Sequence, residues 1–173
     1  PQGDNLRKYP STMPGHSRAF VGVNRGKRGI VLDLKHPDGI VALLELVRGA
    51  DVFVHNFRPA VPARLGIAWE QLQAINPRLI YCGLSGYGEQ GPLKDNAGYD
   101  QVLQCMTGIA ANQGTQEAPE IVYGSAVDYY GASMLALSIS AALVERARTG
   151  LGRRLSVSLM QSALAMQSAR LVW

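Results

Sequence analysis

Asp128 is the residue in this sequence whose type and position best suit a chemical role. It stands in the segment VYGSAVDYYGASML, at the start of a long apolar run that is predicted to be helical and to stop at Gly150. Aspartate is among the residues preferred at helix starts, so a purely structural cap is one interpretation. In the other interpretation, the positive helix end keeps the carboxylate ionised, and backbone N–H groups nearby stabilise an oxyanion. An ionised carboxylate can attack a carbonyl carbon without a partner base, so capping and nucleophilic catalysis both remain open.

Basic residues occur in short groups along the chain, and the net charge is +4 at pH 7. The groups are Arg25, Lys27 and Arg28, then Arg58 and Arg64, then Arg146, Arg148, Arg153 and Arg154. Such groups suit an anionic partner. Nucleic acid is not expected, because no helix-turn-helix, zinc-finger or RNP-like pattern accompanies the charge and only 7% of residues are aromatic. A small polyanion fits the pattern, and so does an ordinary solvated surface.

The composition is that of a soluble, folded domain. Hydrophobic residues make up 47% and charged residues 17% of the 173 residues, and no apolar run is expected to approach the roughly 20 residues of a membrane span. The first residues resemble neither a secretory signal nor a transit peptide, so we expect a cytoplasmic protein. Cys82 and Cys105 lie in apolar surroundings without metal-ligand spacing, so we expect buried thiols and no metal site.

Alternating strand and helix patterns predict an α/β fold. Short strands are expected at FVGVN and GIVLDL, on either side of the basic turn RGKR. Pro37 suits the first position of a helix whose apolar residues recur with helical spacing up to Val47. DVFVHNF and RLIYCGLSGYG follow as parallel strands, with helical pieces at PAVPARLG and WEQLQAI between them. Ligands of open α/β sheets bind at the carboxyl edge of the strands, where His55 and Asn56 are expected.

The second half is predicted to be mostly helical, with helices over residues 99–112 and 128–148, a short strand at RLSVSL and a final helix that runs to the terminus. We therefore expect an incomplete open, mostly parallel sheet flanked by helices. Residues 1–173 are interpreted as a partial large domain, in which residues 1–18 form a surface loop or a connection. Further segments are expected beyond both ends, because the last helix has no cap or closing loop.

Five linked segments carry a resemblance that spans nearly the whole chain. They are NRGKRGIVLDLKHPDG, ADVFVHNFRPAVPARLG, INPRLIYCGLSGYGEQGPLKDNAGYD, GSAVDYYGASMLALSISAALVERARTGLGR and LSVSLMQSAL. Their succession resembles the family III CoA-transferases, the group of formyl-CoA transferase and the carnitine CoA-transferases. Several motifs in the same order are far more specific than a single Gly-rich loop.

The resemblance implies a fold, a reaction and a set of site residues. The fold is the large α/β domain of a CoA-transferase, and Asp128 matches the aspartate that attacks an acyl-CoA thioester. Asn56, Phe57 and Arg64, together with the basic turn of Arg25, Lys27 and Arg28, match segments that bind coenzyme A. The reaction uses an acyl-CoA and a carboxylic acid, with no metal, and the full-length protein is expected to form an intertwined homodimer. Because family members carry further catalytic segments, we expect the isolated fragment to be inactive.

Tyr99 separates this expectation from a neighbouring branch of the same superfamily. The resemblance places Gly98, Tyr99 and Asp100 where α-methylacyl-CoA racemases carry a GHD motif whose histidine exchanges a proton. Tyrosine is a poor general base at its usual pKa of about 10, so Tyr99 argues for a transferase, in which it is expected to shape the acyl pocket. A racemase-like or lyase-like enzyme and a non-catalytic CoA-binding or dimerisation module remain as alternatives.

Overall fold

The computed structural model describes residues 3–168, which divide into two compact units, one up to Ile40 and one from Val41 onward. The first unit contains a 3-10 helix, Asn5–Lys8, and the helix α1, Arg18–Asn24. Ser17 caps α1 by accepting a hydrogen bond from the N–H of Phe20 at 3.3 Å. The guanidinium of Arg7 lies 3.7 Å from the centre of the Phe20 ring. The cap and this cation–π contact fix α1 within the first unit.

Both strands predicted in this unit are wrong. The FVGVN segment lies in α1, because the Ser17 cap starts a helix where β-branched residues alone favoured a strand. Residues 29–34 form no strand, and Ile30 and Val31 are 65% and 74% exposed. A strand needs a hydrogen-bonded neighbour, and this segment has none within residues 3–168.

From Pro37 onward the predicted elements are largely confirmed, except that the end of the predicted final helix, residues 169–173, lies outside the described residues. The helices and strands are α2, Pro37–Arg48; β1, Val52–His55; α3, Ala60–Leu65; α4, Trp69–Ile75; β2, Ile80–Ser85; α5, Asp100–Met106; α6, Ile109–Gln113; α7, Ala126–Thr149; β3, Arg154–Ser158; and α8, Leu159–Gln167. The predicted helix over residues 99–112 is interrupted at Thr107 and Gly108, where Gly108 adopts a φ of +83° that ends regular helix geometry.

The three strands form a parallel sheet in the order β1-β2-β3. Val54 pairs with Cys82, and Cys82 pairs with Leu155, so the carboxyl ends of the strands lie at one edge. This is the open parallel α/β arrangement that the sequence predicted. The side chains at this edge, which include His55 and Ser85, are the ones available for a ligand site.

Helix α7 covers one face of the sheet. Its Leu135 and Ala142 pack in one apolar cluster with Ile80, Cys82 and Val157 of the strands. Burial raises the pKa of the Cys82 thiol to about 11, as expected for an inert core thiol. The prediction that the Cys105 thiol is also buried is wrong, because Cys105 is exposed on α5.

A second cluster joins the start of α7 to three other helices. Val127 packs with Leu103 of α5, Ile109 of α6, and Leu159 and Ala163 of α8. The first turn of α7 is therefore held by apolar contacts as well as by the polar contacts described below.

Within residues 3–168, α7 is the one helix long and apolar enough to cross a membrane by length and composition. The expectation that no segment approaches those limits is therefore wrong on these two criteria. The core helix of a soluble protein passes the same test, and α7 packs against β2, β3 and α8. One side of α7 nevertheless remains exposed, with Tyr129, Leu137 and Val144 each more than half accessible.

Arg146 fastens the C-terminal end of α7 to the amino edge of the sheet. Its guanidinium donates to the Asp51 carboxylate at 2.8 Å and to the backbone carbonyl oxygens of Asp51 and Arg78 at 3.2 and 3.1 Å. The Arg146 side chain is only 11% exposed, whereas that of Asp51 is 78% exposed. The exposed ion pair is screened by water, so most of the stabilisation is expected from the two carbonyl bonds.

We predict that Arg146→Met destabilises the intact protein by about 1–3 kcal/mol, because the guanidinium bonds to both carbonyl groups are lost. Asp51→Asn removes only the exposed charge and should cost less than about 1 kcal/mol. Arg148→Met, on an exposed part of the same helix, serves as the control with an expected change within about 0.5 kcal/mol. Urea denaturation measures all three, and equal effects for Arg146→Met and Arg148→Met would contradict the anchoring role.

Candidate active site

The backbone at the start of α7 lacks a cap from its own residues. The N-cap residue is Ser125, whose φ is +60° and whose side chain makes no capping hydrogen bond. Asp128 is the third residue of the helix, so the interpretation of Asp128 as the helix cap is wrong. A non-glycine residue with positive φ is costly, and the surrounding contacts must hold this turn in place.

The capping role belongs to Asp100, the first residue of α5. Its Oδ2 accepts hydrogen bonds from the backbone N–H groups of Val127 at 2.7 Å and Asp128 at 3.0 Å. Asp100 is only 2% exposed, so these bonds are shielded from water. Two of the first three N–H groups of α7 are thereby occupied, and only that of Ala126 remains for the oxyanion role expected from the sequence.

Gln104 holds Asp100 in this position. It lies one turn further along α5, is fully buried, and donates from Nε2 to Oδ1 of Asp100 at 2.5 Å. Its amide also pairs with the backbone of Val122, accepting from the N–H at 2.7 Å and donating to the carbonyl at 3.1 Å. The Gln104 amide thus links α5 both to the capping carboxylate and to the segment that leads into α7.

The Asp128 carboxylate is left accessible and free. Its side chain is exposed and accepts no hydrogen bond from any residue in the described part of the chain. Neighbouring protein atoms nevertheless remove part of the water around the carboxylate, and this desolvation, followed by the nearby Asp100 carboxylate, raises the pKa of Asp128 above its ordinary value. A carboxylate with a raised pKa and no hydrogen-bond donor is a stronger nucleophile once it is deprotonated.

Three of the predicted ligand residues line one cavity at the carboxyl edge of the sheet. Asn56, Phe57 and Tyr99 surround a space of about 240 Å³ together with Ser85 and Lys94. Tyr99 is 67% exposed and directly precedes the capping residue Asp100. The cavity is therefore connected by a single peptide bond to the residue that caps the helix of Asp128.

A close contact between two glycines shapes this cavity. A Cβ on Gly86 would lie 2.7 Å from Cα of Gly98, and a Cβ on Gly98 would lie 2.5 Å from Cα of Gly86. The carbonyl of Gly86 also accepts a hydrogen bond from Met160 at the start of α8, at 2.9 Å. Only residues without a side chain allow the loop before Tyr99 to approach the strand end so closely.

A second cavity, of about 200 Å³, lies beside the first and is lined by aromatic side chains. His55 stacks on Phe57 and contacts Tyr81 edge-on, with centroid distances of 5.6 and 5.1 Å. His55 accepts a hydrogen bond at Nδ1 from the N–H of Phe57, whereas its buried Nε2 has no partner among the described residues. Burial lowers the pKa of His55, so the ring is neutral at pH 7 and carries its proton on Nε2.

The predicted cations divide into paired and unpaired groups. Arg146, Arg153 and Arg154 form ion pairs with Asp51, Glu145 and Glu89. The exposed residues Arg25, Lys27, Arg28 and Arg64 form no ion pair within residues 3–168. Arg64 lies in the last turn of α3 and does not line either cavity, and the other three belong to the first unit.

The sequence profile of CoA-transferase family III matches residues 1–173, the whole chain. The chain belongs to this family. Among its relatives, the acetyl-CoA:oxalate CoA-transferase of Acetobacter aceti is 42% identical over 174 residues, which cover 99% of this chain and 45% of that protein. The formyl-CoA:oxalate CoA-transferase of Rhodopseudomonas palustris (strain BisA53) is 37% identical over 171 residues, covering 98% of this chain and 40% of that protein.

A solved structure supports the same assignment. The crystal structure of a CAIB/BAIF family protein from Brucella suis superposes with a TM-score of 0.91 at 33% sequence identity. The match covers 97% of this chain and 46% of that one. The family III chain thus spans less than half the length of these relatives, and it reproduces the fold of the corresponding part.

Sequence reasoning missed the buried polar network of this CoA-transferase family site. Asp100 and Gln104 were not predicted to form a polar network, although their spacing of four residues places both on one face of a helix. An Asp at the start of a short helix with a Gln four residues later, on the face that also carries Leu103, is the signal that could have indicated it. The partner N–H groups could not have been inferred, because they lie 27 and 28 residues away.

We predict that Gly86→Ala destabilises the protein by about 1–3 kcal/mol, because the added Cβ overlaps the backbone of Gly98 and must displace the loop before Tyr99. Gly49→Ala is the matched control, since a Cβ there meets no atom within 4 Å. Thermal unfolding of the two variants measures the difference. Equal midpoints would show that the loop moves away without cost and that the glycine contact does not shape the cavity.

Proposed function

We propose that the protein containing this chain is a CoA-transferase that moves coenzyme A from an acyl-CoA to an acceptor carboxylate through a covalent intermediate on Asp128. The observation that carries the proposal is the accessible Asp128 carboxylate in the first turn of α7, which is relieved of capping by Asp100. Family membership and the CoA-transferase names of the relatives support the reaction class.

The reaction begins when an oxygen of Asp128 attacks the thioester carbonyl of the donor. The carbon–sulfur bond breaks, the CoA thiolate leaves, and a mixed anhydride joins Asp128 to the acyl group. The thiolate then attacks the aspartyl carbonyl, which releases the donor acid as its carboxylate and leaves an aspartyl-CoA thioester.

The second half repeats these steps in reverse order. The acceptor carboxylate attacks the aspartyl thioester and displaces the CoA thiolate, and the thiolate then attacks the acceptor carbonyl of the new anhydride. The products are the acceptor acyl-CoA and free Asp128, with no net uptake or release of protons. Exclusion of water from the anhydride and thioester is essential, because hydrolysis would waste the thioester.

Coenzyme A is proposed to bind at the carboxyl edge of the sheet. Asn56 and Phe57 line the larger cavity, where an amide can hydrogen-bond the ligand and an aromatic face can pack on it. Arg64 is exposed and forms no ion pair with the residues that the structure describes, so its guanidinium is available for a phosphate. Tyr99 is proposed to shape the acyl pocket in the same cavity.

The basic turn of the first unit is proposed as a further phosphate-binding segment. Arg25, Lys27 and Arg28 are exposed, and none forms an ion pair in the described part of the chain. Unpaired cations of this kind suit the phosphates of CoA.

The substrates and assembly are part of the same proposal. Both relatives named above carry oxalate in their names, so acetyl-CoA with oxalate is the first donor and acceptor pair to assay. We infer from the family resemblance that the full-length protein forms an intertwined homodimer.

We predict that the intact protein, incubated with acetyl-CoA, forms an adduct on Asp128 that hydroxylamine converts to a hydroxamate. Peptide mass mapping should locate the modification in the first turn of α7. Asp128→Asn should abolish the adduct and lower kcat by at least about 1,000-fold, because the amide oxygen is a far weaker nucleophile than a carboxylate.

Asp95→Asn, an exposed acid outside this helix, is the control and should form the adduct normally. Bound CoA without any adduct, tested with several acyl-CoA donors, would contradict the covalent mechanism. It would favour the racemase-like enzyme or the non-catalytic CoA-binding module instead.

We further predict that Arg64→Gln raises the KM for acyl-CoA about tenfold with little change in kcat, as expected when a charge-assisted phosphate bond worth about 1.4 kcal/mol is lost. Steady-state kinetics over a range of salt concentrations measure the effect, which should shrink as salt screens the charge. Arg148→Gln, an exposed arginine at the far end of α7, should leave KM unchanged. Equal KM values for both variants would contradict the proposed contact between Arg64 and a phosphate of CoA.

A further inference from the structure

The first turn of α7 is capped by a residue of another helix and not by its own N-cap residue. Gly124 and Ser125 precede it with φ values of +90° and +60°, and the side chain of Ser125 does not cap the helix. An aspartate at the third helical position often reaches back to the helix start, and Asp128 does not do so within residues 3–168. The N–H groups of Val127 and of Asp128 itself already donate to Asp100.

We propose that Asp100 is a positioning residue for Asp128, and that Gln104 holds the Asp100 carboxylate in place. Together these two residues of α5 cap α7 and fix its first turn. The Asp128 carboxylate is thereby left free to react. This inference rests on the proposed role of Asp128 as nucleophile. Asp100 is buried and bonds to the backbone of the reacting residue, so its effect on the reaction is exerted through Asp128.

The hydrogen bonds define a single arrangement. Each oxygen of Asp100 has its own task, since Oδ2 accepts from the two N–H groups of α7 and Oδ1 accepts from Gln104. The Gln104 amide also makes two bonds to Val122, which lies a few residues before α7. The segment before the helix and the helix start are therefore tied to the same turn of α5, and neither can move alone.

Capping from outside the helix has a chemical consequence. A donor bonded to the Asp128 carboxylate would stabilise its charged form and weaken it as a nucleophile. Because Asp100 satisfies the helix N–H groups, Asp128 keeps its first-turn position without forming such a bond. The buried negative charge of Asp100 adds a repulsion that also favours consumption of the Asp128 charge by bond formation.

Few other charged groups of the described residues act at this position. Helix α5 contributes Asp100 and the exposed Cys105, and α8 contains no ionisable side chain. On β3, Arg154 is paired with Glu89, and β2 contributes Tyr81 and Cys82, whose pKa values are raised by burial to about 12 and 11. Among the described residues, the charge that faces Asp128 is therefore that of the Asp100 carboxylate.

The test compares Asp100→Asn and Gln104→Ala with Gln101→Ala, an exposed glutamine on the same helix, in the intact protein. Measurements are kcat and KM over a pH series, and titration of the Asp128 carboxyl by ¹³C NMR with labelled aspartate. Asp100→Asn should lower kcat on the order of 100-fold with KM nearly unchanged. The acid limb of its kcat–pH profile and the titration of the Asp128 carboxyl should both move to lower pH, because the negative charge of Asp100 no longer repels that of Asp128.

Gln104→Ala should also lower kcat, but it should leave the acid limb in place because the charge of Asp100 remains. Hydrogen exchange at the Val127 and Asp128 amides should accelerate in both variants and not in Gln101→Ala. A purely structural network would lower stability and leave kcat and the acid limb of the folded protein unchanged. If Asp100→Asn does not fold, Gln104→Ala carries the test through its effect on kcat and on amide exchange.

Two failures are distinguishable. Absence of any adduct on Asp128 in the unmodified protein would overturn the proposed function, and the positioning role with it. A normal adduct in the unmodified protein, combined with unchanged kcat and an unchanged Asp128 titration in Asp100→Asn, would overturn the positioning role alone.

Discussion

The carboxylate of Asp100 is the contact on which the site depends. It joins the first residue of α5 to the first turn of α7, and Gln104 joins the same carboxylate to the segment before α7. Because Asp100 follows Tyr99 directly, one buried carboxylate fixes the positions of both Tyr99, which lines the cavity, and Asp128, the proposed nucleophile. Such a group is costly to bury unless all its bonds are made, so the network favours one arrangement of these elements over neighbouring ones.

The sheet supplies the other reference point. Its carboxyl edge presents Asn56 and Phe57, and the contact between Gly86 and Gly98 brings the long loop after β2 back against this edge. The site is therefore assembled where a strand end, a glycine contact and two helix starts meet. This is the usual place for a ligand in an open parallel sheet, where the strand ends leave a crevice.

Local patterns were sufficient where a continuous apolar run marks a buried strand or where apolar residues recur with helical spacing. The strands at DVFVHNF and RLIYCGL and the helix from Pro37 were predicted because burial and sequence agree there. FVGVN was mispredicted because the Ser17 cap outweighs its β-branched residues, and GIVLDL because a strand depends on a neighbour that sequence alone does not reveal. For the site, resemblance led to Asn56, Phe57 and Tyr99, which share a cavity, whereas the capping partners of Asp100 are contacts between distant segments.

Helix α7 is fastened at both ends, by Asp100 at its first turn and by Arg146 near its last. It has 24 residues, or about 36 Å at 1.5 Å per residue. One residue inserted between these anchors would rotate everything beyond it by about 100° around the axis, so Asp128 and Arg146 could not both keep their directions. Homologous proteins that retain both anchors should therefore share one length for this helix, with insertions and deletions accepted in the loops on either side.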